Sequence, residues 1–247
     1  MGYHASHSAL SAASAVVALN RADIACVEPV LASRAVLQYM RPFLQPPVVA
    51  CPSLEHRRSL SRRYSLDTNE PWLLTVAMMR DGDKFSSYQT LFNALQRIDT
   101  LAWQLLVVGD GTCRERVQHL FKPLKNRVAF AGQLRGSELV RCYSNADVFV
   151  WPAINEAFGM ALLEAQSSAL PVVAGRAGGV ADVVENGRTG LLTKMGDAQA
   201  FAESVRYLLT HESVRKSMGE RAARRVREIH SVKGASRQLN ELLSSLV

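Results

Sequence analysis

The chain is 247 residues long, which suits one large domain or two small ones. A hydrophobic fraction of 48% and a charged fraction of 21% are ordinary for a folded protein, so overall disorder is excluded. The formal net charge of +7 indicates an anionic partner, but no basic run has interleaved aromatic residues, and we predict no binding of nucleic acid.

The sequence shows no membrane-spanning or secretory signal. It has no run of about 18 apolar residues, and the apolar stretch 9–19 lacks the basic residues that precede a signal-peptide core. The four cysteines have no short paired spacing, which disfavours a metal cage or a redox pair. These features favour a cytoplasmic protein.

The first 70 residues have a less regular pattern than the rest. Two apolar segments, 9–19 and 30–43, are predicted to be helices, and residues 48–51 are predicted to be a strand. Residues 57–69 are charged and rich in turn formers, so we predict a linker there.

From Pro71 onward, short apolar runs alternate with helix-periodic segments. This alternation predicts an α/β fold, a Rossmann-like doubly wound parallel sheet with helices on both faces. The predicted strands are 72–77, 103–109, 127–131, 147–151, 171–174 and 190–192, and the predicted helices lie near 87–98, 113–121, 137–145, 159–168 and 180–185. The tail is predicted to form helices at 198–210, 214–229 and 235–246.

Ligands of such sheets bind beyond the carboxyl ends of the strands, which directs attention to the loop after residue 151. This loop presents Asn155 and Glu156, and Gly159 then precedes a helix that contains Glu164. Gly159 lets the backbone approach a ligand, and the free N–H groups of a helix start suit a phosphate or sugar oxygen. Glu164, one turn later, can accept hydrogen bonds from vicinal sugar hydroxyls.

Other motifs point away from alternative chemistries. Gly109-Asp110-Gly111 lacks the third glycine of a dinucleotide fingerprint because Arg114 occupies that position, so NAD binding is excluded. No Ser-His-Asp or Cys-His arrangement can be assembled from these loops. Tyr143 and Trp151 are predicted to be core residues, and His230 a helix cap or packing residue.

Glu156 and Glu164 are separated by seven residues with Phe158-Gly159 between them. Together with the segments that follow, this pattern resembles the carboxy-terminal domain of retaining family-4 (group 1) glycosyltransferases of the GT-B fold. The resemblance covers about residues 71–232, including 107–111, 143–152, 171–174, Gly178-Gly179, 185–187 and 189–192.

The resemblance implies a role for each matching residue. Glu156 lies by the donor sugar near the reacting carbon, and Glu164 holds the ribose of the nucleotide. The backbone at Phe158, Gly159 and Met160 lies by the sugar and the diphosphate. No metal and no cofactor is implied, because the nucleotide sugar is a substrate.

The family also has a Gly-Arg pair and a Lys-Gly pair whose cations bind the diphosphate. Lys84 matches the lysine, but Phe85 follows it in place of glycine, and Arg80 lies one position later than the family arginine. Two cations beside a pyrophosphate stabilise the charge that builds on the departing group. Arg80 and Lys84 are therefore the predicted diphosphate ligands.

The predicted domains are an amino-terminal remnant of an acceptor domain with its linker (1–70), a nucleotide-sugar-binding domain (71–232) and a carboxy-terminal helix (233–247). About 70 residues precede the donor domain, whereas an acceptor domain needs at least about 150. The predicted function is transfer of a sugar, with retention, from a nucleotide-sugar donor to a glycan or glycolipid acceptor. The alternative is an incompetent donor-binding fragment or subunit that needs a partner chain.

A third interpretation is another GT-B enzyme, such as an epimerase or a phosphorylase, but the sequence shows neither the catalytic carboxylates of the first nor the cofactor lysine site of the second. A doubly wound domain with an unrelated small ligand is the remaining alternative. By family analogy the setting is polysaccharide or glycolipid biosynthesis. The basic stretch 221–227 suggests either a solvated helix face or peripheral contact with an anionic inner membrane.

Overall fold

The computed structural model describes residues 2–45 and 52–246, so the predicted strand at 48–51 lies outside the described residues. The amino-terminal part contains two parallel strands that pair with each other. Its elements are α1 (Gly2–Ala12), β1 (Ala15–Ala18), α2 (Arg21–Val27), a short 3-10 helix (Glu28–Val30), β2 (Val36–Tyr39) and α3 (Leu54–Tyr64).

This part corrects three predictions. The predicted helix 9–19 ends at Ala12 and is followed by β1, and the predicted helix 30–43 contains β2 instead. Both errors have one cause, which is that a short apolar run predicts a strand and a buried helix equally well. The predicted linker 57–69 is largely helix α3, whose Ser53 N-cap accepts a hydrogen bond from His56 N at 3.5 Å.

The predicted doubly wound α/β sheet is confirmed. Its six strands are β3 (Trp72–Val76), β4 (Gln104–Val108), β5 (Val128–Gly132), β6 (Val148–Trp151), β7 (Val172–Gly175) and β8 (Gly190–Thr193). All pair in parallel, in the order β5-β4-β3-β6-β7-β8. Their apolar character follows from their position, because most residues of β3, β4, β6 and β7 are buried.

The helices between these strands match the predicted positions closely. They are α4 (Asp83–Gln96), α5 (Arg114–Leu120), α6 (Gly136–Asn145), α7 (Met160–Ser167) and α8 (Val180–Val183). Helix α4 begins four residues before its predicted start at 87, because the polar turn Asp83–Ser86 belongs to the helix. The strand order reverses between β3 and β6, which creates a crevice at their carboxyl ends, where ligands of such sheets bind.

Three helices follow the sheet: α9 (Ala198–Thr210), α10 (Glu212–Ile229) and α11 (Val232–Ser244). His230 caps α10 and is fully buried, as predicted. Its Nδ1 lies 2.6 Å from the carbonyl oxygen of Pro42, and its own carbonyl accepts a hydrogen bond from Leu44 N at 3.0 Å. These bonds connect the amino-terminal part to the end of α10. None of the helices in the described ranges is both long and apolar enough to cross a membrane.

Candidate functional site

Two loops meet at the crevice between β3 and β6. The β3–α4 loop spans residues 77–82 and contains Arg80, and the β6–α7 loop spans residues 152–159 and contains Glu156. Because both strands run parallel and are adjacent in the sheet, their following loops lie side by side. The fold thus brings together the regions in which the sequence predicted the diphosphate-binding cations and the catalytic glutamate.

The β6–α7 loop has an unusual backbone. Ala153, Asn155 and Gly159 adopt positive φ angles of 54°, 51° and 69°. Glycine tolerates this region, but a non-glycine residue there costs on the order of 1–3 kcal/mol and persists only when its surroundings restrain it. The restraints on this loop therefore determine where Glu156 lies.

The first turns of α4 supply several of these restraints. Asn155 Nδ2 donates a hydrogen bond to Asp83 Oδ2 at 2.8 Å, and Ile154 N donates to Ser87 Oγ at 3.0 Å. Lys84 Nζ forms an ion pair with Glu156 Oε2. Ser87 is fully buried. One end of α4 thus contacts residues 154–156 of the loop through three side chains.

Glu156 lies in a sheltered position beside Lys84. The Glu156 side chain is 18% exposed and that of Lys84 is 15% exposed. Trp151 Nε1 donates to the same Glu156 oxygen at 3.3 Å, and Lys84 Nζ lies 5.5 Å from the centre of the Trp151 ring. Within the described chain, Glu156 Oε1 makes no hydrogen bond, so this oxygen is available to a ligand.

Glu164, on α7, is partly buried, as Glu156 is. Tyr143 OH donates a hydrogen bond to Glu164 Oε2 at 2.8 Å. Burial raises the pKa of Glu164, and the bond from Tyr143 opposes that rise. Tyr143 and Trp151 are buried, as predicted, yet each also donates a hydrogen bond to one of the two glutamates. The sequence offered no signal for these bonds, because the partners belong to different elements or depend on the fold of the loop.

The remaining predicted ligands line the rim of the crevice. Arg80 is exposed, and its side chain makes no hydrogen bond or ion pair within the described part of the chain. Phe158 and Met160 are 37% and 39% exposed, and Gly159 is buried at the start of α7. The first N–H groups of that helix lack partners in the helix itself and can serve a ligand.

Phe85 takes the place of the family glycine and packs away from the crevice. The Cζ atom of Arg116, on α5, lies 4.1 Å from the centre of the Phe85 ring. Arg116 also donates a hydrogen bond to Asp81 Oδ1 at 3.0 Å. The phenyl ring is thus accommodated beside Arg116 of α5.

The β7–α8 loop approaches the β6–α7 loop so closely that glycine is required. Gly178 has a φ of 43°, and a Cβ atom there would collide with the carbonyl oxygen of Glu156. A Cβ atom at Gly179 would collide with the carbonyl oxygen of Ala157, which already accepts a hydrogen bond from Gly179 N at 3.0 Å. Gly178 and Gly179 therefore form one side of the candidate site.

Replacing Gly178 with alanine is expected to lower the free energy of unfolding by about 2–4 kcal/mol and to displace Glu156, because strain at positive φ adds to the collision. Urea unfolding measures the loss. Gly187→Ala is the matched control: Gly187 has a φ of 76° but nothing within 4 Å of an added Cβ. Equal losses in both variants would show that the contact with Glu156 is unimportant.

A cavity of about 470 Å³ lies elsewhere, at the amino-terminal ends of the strands. It is lined by Arg57, Asp147 and Arg215, among others. Arg57 lies 3.2 Å and Arg215 3.6 Å from the Asp147 carboxylate, so this one carboxylate pairs with both guanidinium groups. This cavity is far from the carboxyl-end loops, and its lining is explained by packing of α3 and α10 against the sheet.

A family model described as glycosyl transferases group 1 matches residues 57–225. The chain is 33% identical over 195 residues to a sulfoquinovosyl transferase of Arabidopsis thaliana, which covers 77% of this chain and 37% of that protein. It is 31% identical over 172 residues to an N-acetyl-alpha-D-glucosaminyl L-malate synthase of Bacillus anthracis, which covers 68% and 44% respectively. The chain thus spans about two fifths of the length of these relatives.

Solved structures share the fold over nearly the whole chain. A sucrose-phosphate synthase from Thermosynechococcus elongatus superposes with a TM-score of 0.85 and 26% identity, covering 98% of this chain and 61% of that one. Anabaena HepE in complex with UDP-glucose superposes with a TM-score of 0.81 and 21% identity, covering 99% and 70%. The amino-terminal part therefore also has a counterpart in these larger proteins.

Proposed function

The chain belongs to the group 1 glycosyl transferases, and from this premise we propose that it binds a nucleotide sugar and supplies the donor-binding half of a retaining glycosyltransferase. The observation that supports the proposal best is the Lys84–Glu156 ion pair at the topological switch point. A cation and a carboxylate side by side suit a ligand whose diphosphate and sugar are adjacent.

In the proposed complex, Lys84 and Arg80 neutralise the diphosphate. The backbone of Phe158, Gly159 and Met160 approaches the sugar and the diphosphate. Glu164 accepts hydrogen bonds from the ribose hydroxyls through the oxygen that Tyr143 does not engage. Arg80 is exposed at the rim, whereas Lys84 and Glu164 are partly buried.

Glu156 is the proposed catalytic residue. During transfer, the bond between the anomeric carbon and the diphosphate oxygen breaks, and the acceptor oxygen bonds to the same face of that carbon. The acceptor proton passes to the departing phosphate oxygen, so the diphosphate leaves with that proton. A carboxylate beside the carbon stabilises the positive charge that develops on the sugar, and the two cations stabilise the leaving group.

We propose residues 71–232 as the donor domain, 1–70 as part of the acceptor side with its linker, and 233–247 as the closing helix. The relatives are more than twice as long as the regions they share with this chain. We therefore propose that residues 1–247 bind the donor well. Sugar transfer then also requires an acceptor-binding part, which is supplied either by a longer form of the same chain or by a partner chain.

The alternative is a nucleotide-sugar-binding subunit without turnover of its own. Two measurements distinguish this alternative from the proposed transferase function. Calorimetric titration with UDP-, GDP- and ADP-glucose tests donor binding, and no binding to any of the three would refute the donor-site proposal. Release or transfer of radiolabelled sugar then tests turnover, and a bound donor that is never consumed would favour the alternative.

For the setting, we propose the cytoplasm and a glycan or glycolipid acceptor. The two curated relatives described above are named for different products, so the acceptor class is a proposal from the family alone. The basic stretch of α10 gives little support to membrane contact. Arg221 donates a hydrogen bond to Arg188 O at 2.9 Å, and Arg225 lies 3.3 Å from Glu185 Oε2, so both guanidinium groups are engaged within the protein.

Glu164→Gln is expected to remove a pH-dependent cost to stability while weakening donor binding about tenfold, through loss of a charge-assisted bond to the ribose. Because the folded-state pKa of Glu164 is raised above 4.5, the folded state binds more protons. Its contribution to stability therefore falls as the pH rises from 4.5 through the raised value. In Glu164→Gln this decrease in the free energy of unfolding should be absent. Urea unfolding at pH 4.5 and pH 7 measures it.

The control is Glu220→Gln, at an exposed glutamate on α10, which should change neither quantity. A Glu164→Gln protein with unchanged donor affinity would remove Glu164 from the proposed site. A variant whose stability keeps the wild-type dependence on pH would show that another group causes it.

A further inference from the structure

Asn20 lies at the turn between β1 and α2 and is almost fully buried, at 3% exposure. The two ends of its side-chain amide have different partners. Oδ1 accepts a hydrogen bond from Ala22 N at 2.7 Å and caps α2. Nδ2 donates to the carbonyl oxygen of Ala157 at 3.1 Å, which connects the amino-terminal part to the β6–α7 loop.

The Ala157 carbonyl is held from two sides. It accepts from Asn20 Nδ2 and from Gly179 N, at 3.1 and 3.0 Å. Gly179 also lies against Asn20, since a Cβ atom built on the glycine would be 3.5 Å from Asn20 Cγ. Asn20 and Gly179 together therefore set the direction of the peptide group that joins Ala157 to Phe158.

The turn that presents Asn20 is itself anchored to the donor domain. Arg21 N donates to Asp182 Oδ2 at 3.0 Å, and the Arg21 guanidinium lies 3.6 Å from the same carboxylate. The turn that contains Asn20 is thus attached to α8 through Arg21. A side chain with an independent anchor can restrain a loop that contains two non-glycine residues at positive φ.

We propose that Asn20 is a positioning residue for the β6–α7 loop, and that it places the Ala157–Phe158 peptide for donor binding. Helix α4 restrains residues 154–156 of this loop, and Asn20 restrains the next residue. The proposal rests on the donor-binding function proposed for the loop. It assigns to the amino-terminal part a direct influence on the donor site.

The two partners of Asn20 allow a variant that separates capping from positioning. Asn20→Asp keeps an excellent N-cap and nearly the same shape, but it has no N–H to offer and sets a carboxylate oxygen against the Ala157 carbonyl. Asn20→Ser also caps a helix, is uncharged, and is too short to reach Ala157. Asn240→Asp makes the same charge change at an exposed position of α11 and is the matched control.

The first measurement is hydrogen exchange of the ligand-free protein, followed in peptides covering 154–160 and 176–184. Exchange is expected to become faster in Asn20→Asp and Asn20→Ser, while the amides of α2 keep their wild-type protection because the cap is intact. The second measurement is titration with UDP-glucose. Its dissociation constant is expected to rise about tenfold in Asn20→Asp and less in Asn20→Ser, and to stay within twofold in Asn240→Asp.

Unchanged exchange in the loop of both Asn20 variants would overturn the proposal. Faster exchange with an unchanged dissociation constant would overturn the link to donor binding. If the wild-type protein binds no UDP-, GDP- or ADP-glucose, the donor function fails, and the exchange data alone decide whether Asn20 positions the loop. Loss of α2 protection in Asn20→Ser and Asn20→Asp, with exchange in the loop unchanged, would assign the residue to capping only.

Discussion

Lys84→Ala will lower the affinity of the chain for UDP and for UDP-glucose by about a hundredfold, because truncating one member of a sheltered charge pair costs about 2–5 kcal/mol. The change removes the cation proposed to contact the diphosphate. It also leaves the Glu156 carboxylate, 18% exposed, without its ion-pair partner. An incoming diphosphate would then meet an uncompensated negative charge. Isothermal titration calorimetry at fixed ionic strength measures both affinities.

Lys125→Ala is the control, since Lys125 is exposed and lies outside the carboxyl-end loops. Its affinity for UDP should remain within twofold of the wild-type value. The loss in Lys84→Ala should be as large for UDP as for UDP-glucose, because the diphosphate is common to both. If Lys84→Ala binds UDP as tightly as the wild type does, the diphosphate lies elsewhere and the assigned site is wrong.

The sheet could be predicted from the sequence because its strands are buried on both faces. Largely apolar runs such as 72–76 and 104–108, which alternate with helix-periodic segments, are typical of strands buried in a parallel sheet. The amino-terminal part could not, since its sequence pattern is less regular and its two strands are only partly buried. This part also contacts a distant region of the chain, for example through the bond between Leu44 and His230, which no local pattern reveals.

The candidate site shows the same division between local and long-range information. Glu156, Glu164 and Lys84 could be selected from the sequence because a family pattern marks them. The direct contact between Lys84 and Glu156 joins residues 72 positions apart and required the fold. Asp83, which binds Asn155 across that same gap, matched no pattern, although it determines the loop as directly as the ion pair does.

Glu156→Gln is expected to lower sugar transfer at least about a hundredfold, because an uncharged amide cannot stabilise the positive charge that develops on the sugar. Its effect on affinity should be the reverse of the effect of Lys84→Ala. The carboxylate competes with the diphosphate for Lys84, so its removal leaves UDP affinity unchanged or raises it a few-fold. Transfer of radiolabelled sugar, assayed with an acceptor-binding part present, and calorimetry with UDP measure the two effects.

Glu115→Gln, at an exposed glutamate on α5, should alter neither quantity. In the double variant Lys84→Ala with Glu156→Gln, part of the affinity lost in Lys84→Ala should return, because the uncompensated carboxylate is gone while the missing cation is not. Changes in binding free energy that simply add in the double variant would mean that the two groups do not interact in the ligand-free protein. A Glu156→Gln variant that transfers sugar at the wild-type rate would leave the carboxylate with a positioning role only, through its bonds to Lys84 and Trp151.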